Sequence, residues 1–183
     1  MQLLIKNIAV IKLIVILIFI LIMGTLYEDI KVHSAWLVNA FKADGLLLDN
    51  SIDSIIEIDK FFYKNMSGNV PKRGGRLYGS GYGGILFSIG AYVGETIIKN
   101  VPESKWITDD SLEEGTLYVS VILPDGAEIF PVEKVIKRFK NGPEDAIYPY
   151  VHQLTQKFTN NKFNDAFWAL KEDITTKKWW QFW

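Results

Sequence analysis

Glu95 is the side chain in this sequence best placed to do chemistry. It follows Gly94 in FSIGAYVGETIIK, among Ile89, Tyr92 and Ile97. A carboxylate in apolar surroundings requires a cation, hydrogen-bond donors or a raised pKa. Two roles are open to it. It forms a structural ion pair, with Lys99 one turn on or a residue of the Lys72–Arg76 loop, or it works as an acid or base in a cleft. Glu144, Asp145 and His152 are the other groups that could join it in general acid–base catalysis, although nothing in their spacing requires that they meet.

Other chemistries are excluded by what is missing. There are two histidines, His33 and His152, and no cysteine, so metal sites built on His and Cys spacing are ruled out. No P-loop, nucleophile elbow or H-E-x-x-H occurs. Gly79, Gly81 and Gly84 match G-x-G-x-x-G, but the preceding NVPKRGGRLY is basic and broken by glycine and proline. A dinucleotide fingerprint needs a hydrophobic strand there. No cofactor is expected.

Two charged stretches are candidate binding surfaces. Lys72, Arg73 and Arg76 lie just before a helix start, where cations and exposed N–H groups can hold an anion. Asp109, Asp110, Glu113 and Glu114 form an acidic loop suited to a basic protein partner. The ordinary reading of each stretch is a solvated loop, which is how most such runs behave. The formal net charge is −1, which argues against a nucleic-acid partner.

The elements that position these groups are organised around Tyr78–Lys99, a glycine-rich approach leading into a helix apolar over most of its circumference. Such a helix is buried on several sides. Gly90 and Gly94 are one turn apart on one face, and each costs the helix about 1 kcal/mol relative to alanine. That cost is explained if another element approaches the backbone there.

Before the domain, Ile8–Leu26 reads IAVIKLIVILIFILIMGTL, long enough to cross a bilayer as a helix. Lys6 and Lys12 precede its core and Glu28 and Asp29 follow it. The positive-inside bias then places the N-terminus in the cytoplasm and the rest outside. A cleaved signal peptide is the alternative, but no A-x-A site is present. The expected organisation is an N-terminal membrane anchor over 1–27 and an extracytoplasmic domain over 32–183, held to the lipid bilayer of the inner or plasma membrane by a single pass.

The domain is expected to be α+β, rich in helix with a small antiparallel sheet. A helix is predicted over Val32–Ala43, either separate from the membrane segment or continuous with it. A second runs from Ile52 to about Asn65, capped by Asp49, Asn50 or Ser51. Met66–Leu77 reads as a long loop, and Trp106-Ile107 as the start of a short strand. A β-hairpin is predicted at about 117–130, where LYVSVIL and Ala127–Phe130 flank Pro124-Asp125-Gly126. Two strands alone are marginal, so the hairpin needs a third strand or helices on one face. Val132–Phe139 marks another helix, with Lys137, Arg138 and Lys140 in its last turn to suit the macrodipole. A further helix starts near Pro149 and ends at Asn160-Asn161, and Asn164 caps a last one. The tail KKWWQFW either packs on the domain or meets a membrane interface or partner.

The run Phe87–Glu95 (FSIGAYVGE) followed by Trp106, together with Pro124–Asp145, resembles a region of small uncharacterised bacterial proteins. That family is of the domain-of-unknown-function type, with members of immunity or cell-envelope character. The resemblance implies no catalytic residues. It adds to the expectation of a binding module, one version being an immunity-type protein that neutralises a toxin. A small envelope hydrolase using Glu95 and a structural subunit of a membrane complex are the alternatives.

Overall fold

The computed structural model describes residues 25–111 and 117–170. The predicted span over 8–26 and the KKWWQFW tail lie outside them, apart from Thr25 and Leu26. Among the described residues no helix is long and apolar enough to cross a membrane. The described residues have an α+β architecture, with five α-helices over 26–159, two small antiparallel sheets and the start of a further helix at 166.

Helix α1, Leu26–Ala43, starts earlier than its periodicity suggested. Thr25 Oγ1 accepts the Glu28 N–H at 3.2 Å and Glu28 Oε2 accepts the Thr25 N–H at 2.8 Å. This reciprocal capping box satisfies two donors that a helix start leaves open. Thr25 itself is extended, with φ −72° and ψ 154°. So α1 begins at Leu26, with Thr25 as its non-helical cap; the segment before Thr25 lies outside the described residues.

Helix α2, Ile55–Asn65, also begins away from its expected start. Asp49, Asn50 and Ser51 do not cap it directly. Asp49 accepts the Ser51 N–H, and Ser51 holds a turn through Ser54. The sequence read Met66–Leu77 as loop throughout, but it contains a small hairpin pairing β1 (Met66–Ser67) with β2 (Val70–Pro71).

Helix α3, Tyr82–Asn100, is the centre of the fold. It packs on α1 along one side, on helix α4 (Pro131–Asn141) along another, and touches helix α5 (Ile147–Thr159). Ile89, Tyr92, Val93 and Ile97 are fully buried within it. The Tyr92 hydroxyl accepts the Asn50 N–H and bonds to Ser54, and Asn100 donates to the Asn50 carbonyl. These bonds pin the α2 entrance to α3. Both glycines expected to permit close approach do so. A Cβ on Gly90 would lie 2.6 Å from Val132 Cα of α4, and one on Gly94 would fall inside the Trp106 indole.

The hairpin forms over a narrower range than predicted, β4 (Val119–Ile122) and β5 (Glu128–Ile129). Gly126 takes φ +84° in the turn, and Asp125 accepts the Ala127 N–H. The third strand it needed is β3, Lys105–Thr108, antiparallel to β4 with Trp106 opposite Val121. Gly142, at φ +103°, ends α4. A 3₁₀ turn over Pro143–Asp145 leads into α5, and Asn160 in the left-handed region closes it. Asn164 Oδ1 accepts the Ala166 N–H as a new helical turn begins.

Candidate functional site

Glu95 is buried, 7% exposed, and doubly partnered. Both of its carboxylate oxygens accept from Lys31 Nζ of α1 at 2.7 Å, and Oε1 also accepts the Trp106 indole N–H at 2.7 Å. The cation is therefore neither Lys99 nor a residue of the Lys72–Arg76 loop. Lys31 was missed because it sits 64 positions away and only helix packing brings it in. Partial burial works against the Lys31 ammonium. The Glu95 hydrogen bond and charge outweigh it and hold its pKa above the ordinary lysine value.

The catalytic set drawn from the sequence does not assemble. Asp145 accepts from Lys134 at 2.8 Å and from Asn141 at 2.6 Å, and these bonds hold its carboxyl below the usual range. Glu144 is exposed on the same 3₁₀ turn. His152 bonds through Nε2 to the Asn161 carbonyl and lies among the rings of Tyr148 and Phe163. None of these groups shares a partner with Glu95. Among the described residues no three His, Asp or Glu side chains gather to hold a metal ion.

The charged stretches are largely absorbed by the fold. Lys72 donates to the Tyr63 and Lys64 carbonyls at the end of α2. Its ammonium thus meets the carbonyl-rich end of a helix. Arg76 pairs with Asp44 at 2.7 Å, and Arg73 is exposed. Asp109 binds Ser111 locally. Asp110 accepts the Leu26 N–H at 2.8 Å, closing the start of α1. Glu113 and Glu114 lie outside the described residues.

A second buried pair went unread in the sequence. Arg138, placed there in the last turn of its helix to suit the macrodipole, is 1% exposed and faces Asp59 at 0%. Their separation is 3.5 Å. Asp59 also accepts the Ile147 and Tyr148 N–H groups, so it caps α5 from across the core, where α5 has no capping side chain of its own. Burial pushes the Asp59 pKa up against the pull of these donors.

Beside a polar pocket at Ser51, Asp53, Asn100 and Lys162, two open grooves are mainly apolar. The first turns of α3 carry exposed Tyr82, Gly83 and Gly84, with a groove on either side. One, of about 470 Å³, runs between α1 and α3 past Val32, His33, Trp36, Ile85 and Ser88, with Arg76 on its wall. Within it His33 Nδ1 bonds to Ser88 Oγ at 2.8 Å. The other, of about 340 Å³, lies between α3 and α4, walled by Tyr82, Leu86, Phe87, Leu117, Val132, Ile136 and Phe139, with Lys140 beside it. No direct sequence signal marked either, since the apolar segment that lines them was read as buried on several sides.

Comparison with known proteins finds no matching family model, no matching curated protein and no matching solved structure.

Proposed function

We propose that this chain is a membrane-anchored extracytoplasmic binding module that meets a protein partner through the groove between α3 and α4. An immunity-type protein, which holds an incoming toxin, is the version closest to the sequence resemblance. One observation carries the reading. The candidate acid–base groups are each engaged in ion pairs, hydrogen bonds or ring contacts of the fold, or stand alone in solvent, while the α3–α4 groove exposes aromatic and aliphatic walls. An apolar groove of this kind suits the anchoring side chains of an amphipathic segment. Lys140 at its edge favours a partner carrying acidic groups there.

The test uses the full-length protein in its own membrane, with a photo-activatable side chain in place of Tyr82. A discrete cross-linked partner is expected, lost in Ile136→Asp while the melting temperature holds. Partner capture that survives Ile136→Asp places the interface elsewhere. Turnover of an envelope polymer that disappears in a stable Glu95→Gln variant makes the protein an enzyme and overturns the reading.

A further inference from the structure

We infer that the groove between α1 and α3 seats an acidic-headgroup phospholipid of the anchoring bilayer, and that α1 lies along the membrane surface. The inference rests on the membrane-anchor reading and adds to it a ligand class, a site and an orientation of the domain.

The α1 wall is Val32 and Trp36, 66% and 49% exposed. Opposite stand Ile85 and Ser88. The floor is open at Gly81 and Gly84, where an added Cβ would meet nothing within 4 Å. A trough with mainly apolar sides, the His33–Ser88 hydrogen bond inside it and a tryptophan on its lip matches the boundary between acyl chains and headgroups, where such rings concentrate. Arg76 supplies the cation, and a guanidinium recognises phosphate through paired N–H donors. Its present partner, Asp44, holds it in an exposed pair, with side-chain exposures of 53% and 22%. Such a pair is worth little in water and exchanges readily for a stronger acceptor.

The chain's own path selects the bilayer as the source. The apolar run ends at Leu26, about 9 Å of helix before Val32 and about 15 Å before Trp36. The headgroup layer is about 5–8 Å deep. An upright α1 would lift Trp36 clear of it, whereas an inclined α1 keeps Val32 and Trp36 at the surface. The extended backbone of Thr25 leaves α1 free to take its own direction.

The native chain has no cysteine, so Val32→Cys carries a single environment-sensitive dye in the full-length protein. It is reconstituted in phosphatidylcholine vesicles with or without phosphatidylglycerol. The emission is expected to shift to the blue only where phosphatidylglycerol is present, while a dye at Glu133→Cys does not respond. Added Arg76→Gln should raise the phosphatidylglycerol content needed for half the shift about fivefold, and added Asp44→Asn should lower it. Loss of the pair alone would lower the melting temperature of both variants alike, so opposite lipid responses identify the guanidinium. Four results overturn the inference while leaving the anchor intact: a dye that stays in water although the protein floats with vesicles, an equal shift in neutral vesicles, a shift abolished by free glycerol phosphate, or a shift that follows protein density and so reports a second copy. A chain that does not float with vesicles of either composition overturns the anchor reading and this inference together.

Discussion

Trp106 donates its indole N–H to Glu95 Oε1 at 2.7 Å while its six-membered ring occupies the space that a side chain at Gly94 would need. One residue of β3 therefore reads two successive residues of α3. The glycine lets the ring in, and the carboxylate fixes its direction. Gly94→Ala would gain about 1 kcal/mol of helix propensity but would drive the new methyl into the indole. Overpacking of this kind costs about 1–3 kcal/mol, and here the ring cannot turn away without giving up its hydrogen bond. Loss of that bond to a carboxylate adds about 1.5–3 kcal/mol, so a net loss of at least about 1.5 kcal/mol is expected in urea denaturation. An unchanged midpoint would show that the ring moves freely.

Lys31 and Glu95 are unequal partners, with side chains 43% and 9% exposed. Truncating one should therefore differ from truncating the other. Lys31→Met leaves a buried carboxylate without its cation, at a cost of about 3 kcal/mol. Glu95→Gln leaves an ammonium that water can reach, and the glutamine oxygen still accepts the Trp106 N–H. That variant should lose only about 1 kcal/mol. Urea midpoints of the two variants decide this, and equal losses would contradict the asymmetry.

Asp59 and Arg138 form the pair with no route to solvent. Asp59→Ala should cost about 3–5 kcal/mol, because it strands the guanidinium and uncaps α5 together. Arg138→Met in the same background should recover part of the loss, since Phe62 and Tyr63 already line the space as rings. A double-mutant cycle measures the coupling. Additive losses would mean that the pair contributes nothing beyond its separate contacts.

Local patterns carried much of the fold. Apolar periodicity marked α3 as buried, Pro124-Asp125-Gly126 marked the hairpin, and Asn141-Gly142 marked the end of α4. The burial of Glu95 and its need for a cation were legible from Ile89, Tyr92 and Ile97 around it. The identity of that cation was not, because Lys31 shares no local pattern with Glu95. Arg138 does lie in the last turn of α4, but its pairing with Asp59 went unread for a related reason, since only the packing of α4 against the rest of the core turns it inward. The β1–β2 hairpin was missed because two-residue strands leave no alternation to detect. The grooves depend on which first turns of α3 remain uncovered, which is a property of neighbouring helices and not of the segment itself.

Asp145 provides one testable pH dependence. Its pKa is held down, first by the Lys134 hydrogen bond and then by Asn141, in a pair whose side chains are 26% and 13% exposed. A carboxyl with a lowered folded-state pKa stabilises the protein fully above its unfolded value, about 3.9. That contribution is lost as pH falls through the lower folded value. Asp145→Asn should therefore be less stable than the native chain by about 1 kcal/mol at neutral pH. The gap should stay constant down to about pH 5 and then close as the native carboxylate takes up its proton. Urea midpoints of both proteins across this range give the measurement. A gap that persists unchanged to the lowest pH at which the protein folds would assign the loss to side-chain geometry and not to the charge on Asp145.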